Sequence, residues 1–345
     1  MSSVAKKLLQ AKTSSAGKTI AVCTGYCHLT VVDITDASNM SILGNVSHAT
    51  GFCDVGTFAG GDADRDLVFS SGSSNTVSVG DYSDPSNPTV LQVFSDSTLT
   101  SPIRSAIPDT TRELLFVNCG TADKLACIDY SNPSSLSIVD IITSSANLDN
   151  AYGLAVDPTN EVVYSANLSD ASVTSIDYST PSSLSVLSEL VCITQPRNLK
   201  LDSENDIVYV VGSAADGIAS LDVSNPSSMV ELDELRDSAN LDGAWDVGLD
   251  LEDNIAIVWA YGSSGGLSSI DISNPASMSR SDTVTSTSFG TYGQLQLDTV
   301  RKIAFVKCDT NDSLTSVDYS DPSNLTVLGT LVDSTKLSGR SLVLK

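Results

Sequence analysis

Short apolar runs separated by small polar turns fill this chain, and two kinds of run alternate. Residues 152–157 and 161–166 are apolar at most positions, whereas residues 184–190 interleave apolar and polar side chains. Between 152 and 190 the pattern predicts four antiparallel strands. These are an inner strand at 152–157, a second at 161–166, a third at 173–178 and an outer one at 184–190, with turns at 158–160, 168–171 and 179–183. The second strand recurs at 206–211, 254–259 and 302–306, apolar on both faces, as a sheet sandwiched between neighbours requires.

The third strand always ends in the same phrase: Asp, an aromatic or β-branched residue, Ser or Thr, Asn, Asp or Thr, then usually Pro. Its seven copies begin at Asp33, Asp81, Asp129, Asp177, Asp222, Asp271 and Asp318, at spacings of 48, 48, 48, 45, 49 and 47. A strand-rich period of that length predicts propeller blades. The prolines at 85, 133, 181, 226, 275 and 322 fall between strands three and four, where a missing N–H costs no ladder bond. The fold expected is therefore all-β: a seven-bladed β-propeller of four-stranded antiparallel blades over residues 18–345, preceded by a separate segment at 1–17. The first blade has only three strands, at 19–23, 29–33 and 40–46. Residues 340–345 align with the inner strand at 197–202, so the C-terminal strand is expected to complete blade one and remove the open edge.

Charge narrows the partners. Eighteen basic against 42 acidic residues give a formal charge of -24, which disfavours nucleic acid and anionic membrane surfaces. No run approaches the roughly 18 apolar residues of a membrane helix, and no secretion signal is evident. Seven cysteines fall on strands or strand ends, and the expectation is mostly reduced, packed thiols. Cys23, Cys119 and Cys308 occupy equivalent spots in different blades, too far apart to bridge.

The repeated phrase resembles LVIVD-repeat and YVTN-like propellers over residues 19–345, a resemblance that implies fold more than function. The first 17 residues place Val4, Leu8 and Ala11 at helical spacing beside Lys6, Lys7 and Leu9. The readings are a terminal tail or a docking peptide. Residues 4–11 resemble the opening of virion proteins from marine tailed bacteriophages. That resemblance implies a non-enzymatic structural or interaction module exposed on a virion and made in the host cytoplasm. Residues 1–17 would then bind other virion proteins, and the propeller would face a host surface receptor or glycan.

The alternative is a ligand-binding or hydrolase- or lyase-like propeller with its site at the central channel mouth. Aligning the inner strands gives one tier of Cys53, Arg104, Tyr152, Arg197, Trp245, Gly293 and Arg340. The next is Asp54, Ser105, Gly153, Asn198, Asp246, Gln294 and Ser341, polar and expected to face the channel. Guanidinium groups beside aromatics suit an anionic or sugar-like ligand. A wet channel wall in which arginines pair with Asp54 or Asp246 is the competing reading, and in the hydrolase reading those acids hold a divalent ion. No catalytic residue is assigned. The G-x-S-x-G pattern at 262–266 lies in a hairpin instead of a strand-to-helix turn, and His28 and His48 belong to no triad. Asp62, Asp64 and Asp66 resemble the start of a calcium loop but lack its Gly and distal Glu, and calcium is the one cofactor they suggest.

Overall fold

The computed structural model describes residues 18–52, 58–71, 75–99, 102–263 and 266–345. The docking residues Val4, Lys6, Lys7, Leu8 and Leu9, and Asp54 of the second tier, lie outside them. Among the described residues there are 28 strands and one three-residue 3₁₀ turn, Gly120–Ala122. The strands form antiparallel meanders of four, each carrying one copy of the repeated phrase, and we number the meanders by that copy. Five are separate four-stranded sheets. The first takes its inner strand from the C-terminus: Ser341–Leu344 pairs antiparallel with Ile20–Gly25, and Ile20 and Lys345 exchange backbone hydrogen bonds of 2.8 and 2.9 Å.

Meanders two and three depart from the expected separate blades. Their inner strands, Phe58–Asp62 and Ile103–Asp109, pair in parallel at Phe58–Ser105 and Ala59–Ala106, making one eight-stranded sheet. Gly60 permits this approach, because a Cβ there would stand 2.5 Å from Pro108 Cδ and 2.7 Å from the Ala106 carbonyl oxygen.

Second strands such as Val162–Asn167 and Ile303–Cys308 are buried throughout, while outer strands such as Ser185–Val191 are exposed at both ends and half-buried between. The core therefore lies mainly between sheets, most clusters drawing on two neighbours while one also gathers Phe58 and Tyr152 beside Trp245. Tyr164 and Val210 share one such cluster, and Ala21, Val32, Phe305 and Leu314 share another that joins the seventh meander to the first.

The repeated phrase latches one meander to the next. Ser175 donates to the Pro226 carbonyl at 2.6 Å, and Ser220 and Ser269 donate to the Pro275 and Pro322 carbonyls at 2.5 Å. Ser316 repeats the bond to Ala37 of the first meander, also at 2.5 Å. The tyrosine of the phrase reaches back to the Asp that ends the preceding inner strand. Tyr130 donates to Asp62 at 3.3 Å, Tyr178 to Asp109 at 2.9 Å and Tyr319 to Asp250 at 3.1 Å. Burial and the facing carboxylate hold these hydroxyls well above the usual phenol range.

That terminal Asp also organises the hairpin after each inner strand. Asp62 accepts from the N–H groups of Asp64 and Arg65, Asp109 from Thr111 and Arg112, Asp157 from Thr159 and Asn160. The residue four places on takes a left-handed conformation, at Asp66, Glu113 and Glu161. The calcium-like spacing of Asp62, Asp64 and Asp66 is thus one instance of a turn that recurs with other residues. Asp62 also receives Tyr130, and Asp66 pairs with Lys345. Among the described residues no three His, Cys, Asp or Glu side chains are grouped to hold a metal.

Cys23, Cys119 and Cys308 are buried and outside any disulfide, in line with mostly reduced, packed thiols, whereas Cys27 is disulfide-bonded. Burial pushes the Cys23 thiol up to about 12 and Cys308 to about 11.

Candidate functional site

Inner strands start at one face, here called the mouth, and end at the face that carries the repeated turns. At the mouth, four consecutive inner strands slip register beside their first-tier residue. The slips fall between Ile103 and Ser105, Ala151 and Leu154, Pro196 and Leu199, and Ala244 and Asp246. A bulge re-aims the side chain it carries, and the four re-aimed residues converge. Arg104 lies 4.8 Å and Arg197 4.9 Å from the Tyr152 ring centroid, and Arg197 also lies 4.8 Å from the Trp245 ring. Tyr152 meets Trp245 edge-on at 5.7 Å. Arg340 joins through Tyr292, which it covers at 4.6 Å and which abuts Trp245 at 5.1 Å. Five of the seven first-tier residues thus form one cation–aromatic row.

Two of its members are hidden: Trp245 is 1% and Tyr152 4% exposed. Trp245 donates its indole N–H to the Gly293 carbonyl at 3.2 Å. The face offered to solvent is formed by the half-buried arginines, Tyr261 and Tyr292, the last 38% exposed.

The three arginines differ in what neutralises them. Arg340 Nε is 3.0 Å from Asp309 Oδ2, which also receives the Tyr26 hydroxyl at 3.4 Å. Arg197 Nε donates to the neutral Ser213 hydroxyl at 2.8 Å. Arg104 faces Gly120, whose added Cβ would lie 3.1 Å from Arg104 Cγ, and its buried Nε bonds nothing among the described residues. Neither Arg104 nor Arg197 forms an ion pair among the described residues.

The second tier does not line a wet channel. Ser105, Asn198, Asp246, Gln294 and Ser341 are all at most 2% exposed. Asn198, Asp246 and Gln294 bind inner strands to one another instead. Asp246 accepts from Asn198 at 2.6 Å, the Val247 N–H at 2.8 Å and the Leu295 N–H at 2.7 Å. Gln294 exchanges bonds of 3.1 and 3.0 Å with Ala59 and accepts from Leu342 at 2.9 Å. Burial raises the Asp246 carboxyl above its usual range. Asp246 is therefore a staple between inner strands, and pairs with no tier arginine.

Alignment of inner strands alone misses Tyr26, Ser213, Tyr261 and Asp309. Each directly follows the second strand of its meander, as Gly120 does. That position is a column of its own, legible from the repeat, and it supplies what each arginine or tryptophan touches. Tyr292 is missed because the column falls on Gly293, whereas the residue before it turns inward with φ 58°.

A family model described as the LVIVD repeat matches residues 20–48, 121–144, 208–235, 259–286 and 304–333. The chain matches no curated protein sequence. Several solved structures are similar along nearly its whole length. A protein from Lactobacillus plantarum has a TM-score of 0.80 at 16% identity, covering 95% of this chain and 99% of its own. A candidate 6-phosphogluconolactonase from Bacteroides fragilis has a TM-score of 0.77 at 9% identity, covering 97% and 100%. The periplasmic gluconolactonase of Pseudomonas aeruginosa has a TM-score of 0.75 at 11% identity, covering 94% and 98%. With the LVIVD repeats and the four-stranded sheets, these likenesses define the class: an all-β propeller. They also correct the expectation of a non-enzymatic virion module. Two of the three bear sugar-lactonase names and none is a virion protein by name, so the phage resemblance of residues 4–11 gains no support.

Proposed function

We propose that the chain is a seven-bladed propeller, its ring closed by Ser341–Leu344, that binds an anionic sugar derivative at the channel mouth and opens its lactone ring. The observation that carries this reading is the pair Arg104 and Arg197 flanking Tyr152. In a protein with 42 acidic residues and 18 basic ones, two half-buried guanidiniums stand beside Gly120 and Ser213 with no carboxylate paired to them among the described residues. Their fork of N–H donors fits carboxylate or phosphate oxygens, and the faces of Tyr261 and Tyr292 suit a sugar ring. The contacts of Ser316 and Arg301 with residues 34–37 support closure, because they repeat between the last and first meanders the bonds made elsewhere between neighbours. The lactonase names of the similar structures supply the reaction class.

Calorimetric titration with 6-phosphogluconate, gluconate and glucose tests the reading. Affinity should fall in that order, and the Arg104→Ala/Arg197→Ala variant should bind the phosphorylated acid about 10- to 100-fold more weakly, the cost of losing charge-assisted bonds. Equal affinity for glucose and 6-phosphogluconate would remove the anionic ligand from this mouth.

A further inference from the structure

The row of three arginines has two chemically different ends, and we infer that they hold the two ends of one ligand, with Asp309 as the proton acceptor for the reacting one. This rests on the lactonase-like reading above. At the Arg104 and Arg197 end there is positive charge with no counter-charge among the described residues, where an anionic group binds. At the Arg340 end the charge is already neutralised by Asp309, so a second anion gains little there and an uncharged carbonyl and a water fit better.

Asp309 is oriented for such a role. Its Oδ2 is held by Arg340 Nε at 3.0 Å and by the Tyr26 hydroxyl at 3.4 Å, while Oδ1 has no bond among the described residues. Tyr26 is itself fixed by a tight turn in which Tyr26 and Cys27 both have positive φ, 41° and 71°, and in which Cys27 is disulfide-bonded. A non-glycine pair in that conformation stores strain of the kind found where a side chain must be placed. A second acid in the row's neighbourhood, Asp246, has both oxygens occupied by buried donors.

In the step that follows, the oxygen of a water bonds to the lactone carbonyl carbon and its proton passes to Asp309 Oδ1. The ring C–O bond then breaks, and the leaving alkoxide recovers the proton from Asp309. One water is consumed and one hydroxy acid formed, with Asp309 regenerated. Arg340 and Tyr26 keep the carboxylate pointed, and Tyr26 is a positioning residue.

Hydrolysis of 6-phosphogluconolactone followed by acid release, with calorimetric binding of 6-phosphogluconate in parallel, tests the assignment. Asp309→Asn should lower kcat by about 100-fold or more with KM and product affinity within about threefold of wild type. Tyr26→Phe should lower kcat by about tenfold, and the Arg104→Ala/Arg197→Ala variant should chiefly raise KM. If Asp309→Asn keeps its kcat while wild type turns over, the proton acceptor is overturned and the lactonase reading stands. If wild type binds 6-phosphogluconate without turning over the lactone, the hydrolytic reading and Asp309's role fall together.

Discussion

Lys302 directly precedes the strand Ile303–Cys308 and Lys307 lies near its end, one at each face of the propeller, and they are treated in opposite ways. At the turn face, burial works against the Lys302 ammonium, but Asp250 at 2.8 Å and Asp253 at 2.6 Å outweigh it and raise it above the usual lysine range. At the mouth, Lys307 is fully buried, has the Cys308 and Gly339 carbonyls as its acceptors among the described residues, at 3.0 and 2.7 Å, and is lowered by burial. The arginines repeat the contrast. Arg65 and Arg112 cover Tyr130 and Tyr178 at 5.5 and 5.4 Å, and each also pairs with a glutamate of the next meander at 2.7 Å. Arg104 and Arg197 cover Tyr152 at shorter distances and have no such acid among the described residues. The motif of arginine on tyrosine is common to both faces, and on the reading proposed above the want of a paired carboxylate is what separates a structural contact from a site.

The strand Ser341–Leu344 is the element that serves both faces, since Arg340 precedes it at the mouth and Lys345 meets Asp66 beyond it. Deleting residues 340–345 removes the buried Leu342 and Val343 and uncovers Ile20–Gly25 as an edge. Two such side chains contribute roughly 1.5–3 kcal/mol each, so calorimetry should show Tm falling by about 4–8 °C for a chain of 345 residues. An unchanged Tm would break the closure of the ring.

Giving a mouth arginine the acid its turn-face counterparts possess should erase the contrast directly. Ser213→Asp places a carboxylate against Arg197 and is expected to weaken 6-phosphogluconate binding by about tenfold, with Ser213→Asn close to wild type. Full affinity in the Asp variant would mean that Arg197 takes no part in the anion site.

The smallest effect is the pH dependence left by Lys307. Because its folded pKa lies below the ordinary value of 10.5, the unfolded chain binds a proton that the folded one does not across the interval between them. Stability therefore rises with pH through that interval and levels off above 10.5. Relative to Lys307→Met, the wild type should gain up to about 1.4 kcal/mol per pH unit there, measured by denaturant unfolding. Parallel pH curves for the two proteins would show that burial leaves this lysine protonated.

The periodic half of the molecule was legible because its chemistry is periodic. The phrase beginning at Asp177 or Asp318 reads as a turn and strand register, and the Ser-to-carbonyl latches and Tyr-to-Asp struts are the same feature seen between meanders. The tier of Arg104, Tyr152, Arg197, Trp245 and Arg340 was also found by aligning copies. Two things were hidden. The bulges beside those residues depend on crowding of inner strands, so the neighbouring column was assigned to a wet channel when Asn198, Asp246 and Gln294 are buried staples. And Asp309 reaches Arg340 from the preceding meander, a contact that alignment within a repeat does not contain. The pairing of meanders two and three escaped for a related reason, since Gly60 permits it by having no side chain at all.

The latches have a bearing on how such rings diversify. Each latch except that of Ser316 to Ala37 joins partners one copy apart and is satisfied locally, so a chain with one repeat more or fewer would keep those and need only remake the exception. Gain or loss of a copy is therefore nearly silent for the contacts between meanders. On the reading proposed above it is not silent for the opening, where the perimeter would set the span from Arg104 to Arg340 and hence the length of molecule that could bridge them. Duplication of a structural unit becomes, at the other face, a change of gauge.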